Sequence, residues 1–265
     1  HPKRDLIRNN IVTVRRDFSI IYFITITELK SKIYDKSLGM FFLFLEPILM
    51  ASVYYFLTMV LLGARLETHG FLGIYCSVVF WRWYSRIADG APTILISYAQ
   101  IIKQTNFPTH TIILATVAVE SVHMLFGLIV LLCLVATLSG EIHPTILLFP
   151  IIFCVQLSVI MFFAISLSCV GVFFKDLGGL VFAFNGIWFY LSPGIYPIEM
   201  VPQEFLVYYY ANPFAHVLPA YHDILLNGVT PDFFGLFCVF TIFSALNVWV
   251  FRIVNRSRKY FFNFM

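Results

Sequence analysis

Six hydrophobic stretches, each about as long as a membrane-spanning helix, constrain this chain more than any other feature of its sequence. A helix needs roughly 20 predominantly apolar residues to cross the hydrocarbon core of a bilayer. The six stretches cover residues 38–62, 71–97, 111–138, 145–174, 177–196 and 233–253. Charged residues make up only 12% of the 265 residues, which is too few to cover the surface of a soluble domain. The sequence therefore predicts an all-α integral membrane protein with six transmembrane helices, and it excludes a soluble enzyme.

The distribution of basic residues predicts the orientation of these helices. With the N-terminus in the cytoplasm, the inner segments hold fourteen of the seventeen Lys and Arg residues, and the outer loops hold only Arg65. Cytoplasmic loops are the ones that carry an excess of Lys and Arg. We therefore expect both termini and the loops with Lys103 and Lys175 to face the cytoplasm. No linker rich in Gly, Ser or charge interrupts residues 1–265, so we expect a single transmembrane domain.

Two further segments are neither ordinary loops nor spans. Residues 15–37 mix apolar residues such as Phe18 and Tyr22 with basic ones, which predicts an N-terminal interfacial amphipathic helix on the inner leaflet. Residues 197–232 are too apolar for a free loop and are broken by prolines such as Pro219. They favour short re-entrant helices between the fifth and sixth spans, which need protein or a water-filled cavity around them. An aromatic-rich outer cap that never re-enters the membrane is the alternative.

The motifs of common catalytic sites are missing from the sequence. A phosphate-binding loop needs Gly-Lys followed by Ser or Thr, but no lysine in this chain follows a glycine. The sequence also lacks the HExxH and CxxC spacings typical of metal sites. We therefore expect no catalytic residue, metal or cofactor in this chain, and no nucleic-acid partner. If the protein performs active transport, the energy must come from a partner subunit or from an ion gradient.

Charged residues within the predicted spans are the most unusual local feature. Arg82, Arg86 and Asp89 have the spacing of one helix face in the second span, and Glu46 and Glu120 lie in the first and third spans. Charged groups in hydrocarbon are costly and normally pair or face water. They could form a gate or pathway, or a structural ion cluster between helices with some arginines reaching an interface. We expect Glu120 to be the main partner from another span.

Four segments, in the order found in the family, resemble the permease subunits of type-2 ABC exporters. They are residues 26–48, 81–108, 172–180 and 190–228. The residues that fit the family's pattern in the first two segments are Glu28, Lys30, Lys32, Tyr34, Ser37, Leu38, Gly39, Pro47, Ile102, Lys103, Phe107 and Pro108. The third segment carries Phe-Phe-Lys-Asp, and the fourth carries Ser-Pro, Asn-Pro and a final Asn-Gly. One departure is His222, which stands where many members carry Arg.

Within that family the pattern is most similar to that of the polysaccharide exporters. The resemblance implies a homodimer of this chain with two ATP-binding cassette subunits, which would bind ATP and Mg²⁺ on the cytoplasmic side. It implies a bacterial inner (plasma) membrane protein that exports lipid-linked polysaccharide of the O-antigen, capsule or teichoic acid type. A permease for small molecules or drugs, an ion-coupled secondary transporter and a non-transporting assembly protein are the alternatives. Secondary transporters often show two similar halves, and the sequence shows no such repeat.

The resemblance also implies a channel between two permeases, lined largely by the first and fifth spans. Aromatic faces give broad contact with little directional demand, as a sliding sugar chain requires. The channel-lining candidates are Phe41, Phe44, Tyr54, Phe182, Trp188, Phe189, Tyr190, Tyr208, Tyr209 and Tyr210. Residues 188–190 are consecutive on a helix, so only one or two of them are expected to face inward. Such residues could instead face lipid or neighbouring helices.

The longest inner loop between spans is the expected contact with the ATPase, flanked by the interfacial helix. The candidate residues are Ala99, Gln100, Ile101, Ile102, Lys103 and Gln104. A simple extension of the adjoining spans is the alternative interpretation of this segment.

Overall fold

The described part of the chain is helical throughout, with turns and short connections between the helices. The computed structural model describes residues 16–31, 41–61, 70–105, 109–194, 196 and 201–264, and none of these residues forms a strand. In chain order the helices are α1 (16–31), α2 (Phe41–Tyr55), α3 (Gly70–Ser97), α4 (Ala99–Thr105), α5 (Thr109–Leu138), α6 (Phe149–Gly171), α7 (Leu177–Tyr190), α8 (Leu206–Tyr210), α9 (Phe214–His222) and α10 (Phe233–Phe264). A π-helical stretch, Phe56–Leu61, extends α2, another, Asp223–Asn227, extends α9, and a 3₁₀ turn, Pro144–Leu148, leads into α6.

Three of the described helical segments are long and apolar enough to cross a membrane. They are Thr109–Leu138, Pro144–Gly171 and Phe233–Val254, and two shorter apolar helices cover Phe44–Thr58 and Leu177–Tyr190. These segments confirm the prediction of an all-α membrane protein.

The ends of several helices differ from the predicted spans. At the fourth predicted span, α6 ends at Gly171 instead of residue 174, because the chain turns before the Lys-Asp pair. At the fifth, α7 ends at Tyr190 instead of residue 196, because Leu-Ser-Pro follows it and proline cannot continue the helical hydrogen bonds. Residues 32–40 and 62–69, which contain parts of the predicted interfacial helix and first span as well as Arg65, lie outside the described residues.

The helix α3, which carries three charged residues, is enclosed by five other helices. It packs against α2, α5, α6, α7 and α9, and nearly all of its residues from Ile74 to Ala88 are buried. Lipid tails are as apolar as a leucine side chain, so helices associate in a membrane through close packing and hydrogen bonds. A helix that carries Arg82, Arg86 and Asp89 avoids hydrocarbon only when its neighbours surround it. This requirement places α3 at the centre of the bundle.

Aromatic stacking and side-chain hydrogen bonds join α3 to its neighbours. The Trp83 ring stacks on Phe153 of α6 with 4.8 Å between the ring centroids, while its Nε1 donates a 3.1 Å hydrogen bond to Ser121 of α5. Gln156 of α6 donates from Nε2 to the Phe80 carbonyl oxygen at 2.8 Å. These contacts fix both the spacing and the rotation of the central helices.

The short helices α8 and α9 lie between α7 and α10 at one end of the bundle. The helix α9 packs against α3 and α6, and its Tyr221 ring stacks on Phe80 with 3.5 Å between the ring centroids. His222 Nε2 lies 2.8 Å from the hydroxyl oxygen of Ser77. His222 therefore joins this segment to α3.

We expect Gly171→Ala to destabilise the bundle where α6 meets α3. A Cβ added at Gly171 would overlap the Pro92 carbonyl oxygen and lie 2.5 Å from Pro92 Cα. These are backbone atoms that cannot rotate away, so the helices must separate, at about 1–3 kcal/mol. The measurement is the melting temperature of the purified protein in detergent. Gly178→Ala is the control because nothing lies within 4 Å of its added Cβ. Equal melting temperatures for the two variants would contradict this packing.

Candidate functional site

A cavity of about 460 Å³ opens between α2, α3 and α7. Its walls are mostly aromatic and aliphatic, but a strip of polar side chains runs along α3. The residues on these walls include Met50 and Tyr54 of α2, Trp81, Arg82, Ser85 and Asp89 of α3, and Phe182, Asn185, Phe189 and Tyr190 of α7. We call this cavity the groove. It combines flat apolar surfaces with hydrogen-bonding groups.

Aromatic rings from α2 and α7 meet across the groove. The Tyr54 ring centroid lies 5.1 Å from that of Phe189 and 6.1 Å from that of Tyr190. Trp81 adds a ring from α3, with its centroid 5.2 Å from that of Phe189. Four of the channel-lining candidates thus line one groove: Tyr54, Phe182, Phe189 and Tyr190.

The remaining candidates from the spans lie elsewhere. Phe44 packs edge-on against Phe126 of α5 at 5.3 Å, and Phe41 is exposed at the start of α2. Trp188 packs against Tyr84 and other rings of the bundle. Its ring centroid lies 5.4 Å from that of Phe214. Consecutive residues of a helix point in different directions. Phe189 and Tyr190 line the groove, whereas Trp188 points into the bundle.

The three tyrosines of α8 do not line the groove. Tyr208 is exposed, Tyr209 is buried, and Tyr210 packs against His216 with 5.7 Å between the ring centroids. A five-residue helix turns its side chains in all directions, so three consecutive tyrosines cannot share one environment.

The charges predicted within the spans form a balanced cluster. Glu46 of α2 accepts hydrogen bonds from Arg82 through Oε1 and from Arg86 through Oε2. The other terminal nitrogen of Arg86 lies 3.6 Å from a carboxylate oxygen of Glu120, which is itself 3.0 Å from Nδ1 of His123. Two arginines therefore face two glutamates between α2, α3 and α5, where the glutamate side chains are largely buried.

The main partner of the arginines differs from the expected one. Sequence alone favoured Glu120, but Glu46 makes the two shortest contacts, one to each arginine, whereas Glu120 lies 3.6 Å from Arg86. The spacing of charges along α3 could not show which glutamate lies nearer the arginines, because the Arg–Glu distances depend on how α2 and α5 are rotated about their axes.

Asp89 does not join the cluster. It accepts a 2.6 Å hydrogen bond from Nδ2 of Asn185 on α7, and Oδ1 of Asn185 accepts a 3.2 Å bond from the Tyr84 hydroxyl. The sequence pattern did not single out Asn185 or Tyr84. An available signal was that Asn185 is the one amide in the apolar run of α7, since a polar group at such a position needs a partner.

At the end of the bundle that carries α4, the first helix is held by polar contacts. The Tyr98 hydroxyl donates to Oε1 of Glu28 at 2.5 Å, and Nε2 of His110 lies 3.5 Å from Oδ2 of Asp17. Burial, together with the hydrogen bond and the charge of Glu28, raises the pKa of Tyr98, so this phenol remains a donor at neutral pH. The helix α1 is thereby docked on the connection from α3 to α5.

The candidates for contact with an ATPase are on α4, beside α1. Gln100 and Ile101 are exposed and Ala99 is half-buried, whereas Ile102 is fully buried and points into the bundle. The side chains of Lys103 and Gln104 lie outside the described residues. Within the described ranges, no group of three or more His, Cys, Asp or Glu residues could hold a metal ion.

Comparison with known proteins identifies a family and several relatives. Residues 20–226 match the model of the family described as ABC-2 type transporter. Two proteins of Klebsiella pneumoniae, each named O-antigen export system permease protein RfbA, are 27% and 26% identical to this chain, and each match covers 80% of this chain and 82% of the relative. A Myxococcus xanthus protein of the same name is 25% identical, over 88% of this chain and 89% of the relative. The matched residues include all three helices of the groove.

We expect Glu46→Gln to destabilise the protein more than Glu120→Gln. Glu46 serves both arginines, so its loss leaves Arg82 with no carboxylate within 4 Å among the described residues, whereas Arg86 keeps Glu46 when Glu120 is changed. Breaking a buried ion pair costs about 3–5 kcal/mol because the remaining charge is stranded. Melting temperatures in detergent give the comparison, with the two Gln variants as matched controls for each other. A larger loss for Glu120→Gln would contradict the central position of Glu46.

Proposed function

Because this chain belongs to the ABC-2 type transporter family, we propose that it is the permease subunit of an ATP-driven exporter of lipid-linked cell-surface polysaccharide. The substrate is of the O-antigen type, with capsule and teichoic acid chains as related possibilities. It moves from the cytoplasm across the bacterial inner (plasma) membrane. ATP and Mg²⁺ bind to a separate ATPase subunit, and this chain supplies the path.

The aromatic groove is the observation that carries this proposal. Its rings from α2 and α7 face each other across a cavity bordered by a strip of polar side chains. The C–H faces of a sugar can lie against such rings without hydrogen bonds that must break at each step. A tightly hydrogen-bonded path would trap a long glycan, since each release would strand a buried polar group.

The proposed topology has six spans, formed by α2, α3, α5, α6, α7 and α10. The excess of Lys and Arg in the inner segments supports cytoplasmic termini. The helix α1 carries exposed Phe18, Tyr22 and Phe23, which suit an interfacial helix on the inner leaflet. The helices α8 and α9 then lie on the outer side, and the buried face of α9 supports a re-entrant position because protein covers its backbone.

The proposed complex contains two copies of this chain and two ATPase subunits. The groove is bordered by apolar side chains of α2 and α7 that are exposed in the single chain, including Met50, Phe182 and Ile187. A second copy placed against these helices would close the groove into a channel. The ATPase subunits contact the α4 segment, where Gln100 and Ile101 are exposed next to the docked α1.

Export of a small molecule or drug by the same kind of complex is the alternative function. The volume of the groove, about 460 Å³, lies within the range of small-molecule sites. An ion-coupled mechanism has less support, because the arginines and glutamates of the cluster are paired with one another.

We expect Tyr54→Ala and Tyr190→Ala to lower polysaccharide export by roughly fivefold each, since each loses about 1 kcal/mol of aromatic contact. Surface glycan is measured in cells that also make the ATPase partner, at matched amounts of permease in the membrane. Phe234→Ala, which removes an exposed ring of α10 far along the chain from the groove residues, is the control.

Cells without this chain should accumulate lipid-linked polysaccharide inside and keep normal drug efflux. Normal surface glycan in such cells would refute polysaccharide export, and reduced drug efflux would favour the alternative.

We expect a cysteine-directed photo-cross-linker at Gln100→Cys to capture the ATPase subunit. Gln100 is exposed, whereas Ile102, two positions along the same helix, is fully buried and provides the matched control Ile102→Cys. The native cysteines are replaced first, and the products are identified by mass spectrometry of membranes that contain both subunits. Capture of lipid alone from Gln100→Cys would count against α4 as the contact.

A further inference from the structure

Asp89 is the one acidic side chain among the described residues that line the groove. It has no Lys, Arg or His partner within 4 Å among these residues, although it lies in a span. The arginines on the same face of α3 are already matched by Glu46 and Glu120. An ionisable residue inside a membrane is costly and marks a functional site by default. Among the described residues Asp89 forms no ion pair with the charge cluster, and it accepts its hydrogen bond from Asn185.

Two buried residues hold the Asp89 carboxylate in a fixed orientation. The Tyr84 hydroxyl donates to Oδ1 of Asn185, which turns the amide so that its Nδ2 donates to Oδ1 of Asp89. Tyr84 and Asn185 are 1% and 2% exposed, so neither can easily change partner. The other oxygen of Asp89, Oδ2, accepts no hydrogen bond from the described residues, although the side chain lines the groove.

We propose that Asp89 is a hydrogen-bonding subsite for the hydroxyl groups of a sugar in the groove, with Asn185 and Tyr84 as its positioning residues. The inference rests on the proposed function and names a residue that recognises the glycan by its hydroxyl groups. A carboxylate accepts strong hydrogen bonds and can serve two adjacent hydroxyls at once. The exposed rings of Phe182 and Tyr190 on the groove wall offer apolar faces for the same sugar.

A single polar subsite in an otherwise aromatic groove suits a sliding chain. The aromatic faces hold each sugar weakly, whereas Asp89 recognises a sugar by its hydroxyl pattern as it passes. One such contact gives a preference for certain sugars without a continuous row of hydrogen bonds that must break as the chain moves. Ser85 and Arg82 lie one and two turns before Asp89 on the same face of α3, so they extend the polar strip along the groove.

The test uses the complete complex of permease and ATPase in lipid nanodiscs. Binding of a neutral hexamannoside, hexagalactoside or hexarhamnoside is measured by saturation-transfer NMR, with the fully O-methylated sugars as a comparison. The Asp89→Asn variant keeps an oxygen that accepts the bond from Asn185, so a purely structural role is preserved, while the charged acceptor is lost. We expect at least one hexasaccharide to bind about tenfold more weakly to this variant.

Two further variants separate recognition from folding. Asp176→Asn, an exposed substitution of the same kind outside the groove, should bind as the unmodified protein does. Tyr84→Phe keeps the ring but frees Asn185 to turn, so it should weaken binding by a smaller factor. The O-methylated sugars, which have no donors, should show no difference between the Asp89→Asn variant and the unmodified protein.

Equal hexasaccharide binding by the unmodified and Asp89→Asn complexes would overturn the subsite, as would no binding to either. Binding that follows the concentration of Na⁺ or K⁺ instead of the sugar hydroxyls would also overturn it and assign Asp89 to a cation. Export of surface glycan, measured with the same variants in cells, separates this inference from the proposed function. Normal export with no effect of Asp89→Asn on binding refutes the subsite alone, whereas normal surface glycan without the permease refutes the function.

Discussion

Glu46 joins α2 to α3 by accepting hydrogen bonds from two arginines at once. In a medium that cannot solvate charge, Arg82 and Arg86 can remain within the bundle only if carboxylates neutralise them. The position of α2 is therefore tied to the charges of α3, and so is the shape of the groove between them. The second glutamate, Glu120, extends the same balance to α5.

The central position of α3 follows from the same constraint. A helix with three charged residues cannot face lipid, so α2, α5, α6, α7 and α9 surround it. The arginines of α3 join it to neighbouring helices, while Asp89 on the same face hydrogen-bonds to α7 and borders the groove. Arg82 belongs both to the charge cluster and to the polar strip of the groove.

Local sequence features were sufficient for the helical class and for most helix positions. The apolar runs predicted α5, α6 and α10 because each must be long enough to cross hydrocarbon. The candidate site was predicted less completely. Tyr54, Phe182, Phe189 and Tyr190 do line one groove, but Trp188 packs within the bundle and Phe44 packs against α5. A ring's surroundings depend on the rotation of its helix against the neighbours, which composition does not specify.

The sequence by itself determined that this chain is a helical membrane protein, because sixty per cent hydrophobic residues in long runs have no stable place in water. It also located the buried charges, which stand out against an apolar background. Only the tertiary structure decided how these charges are shared, with Glu46 serving two arginines and Asp89 held by Asn185. Those partners are up to 96 residues apart in the chain, so packing of whole helices, and no local pattern, brings them within hydrogen-bonding distance.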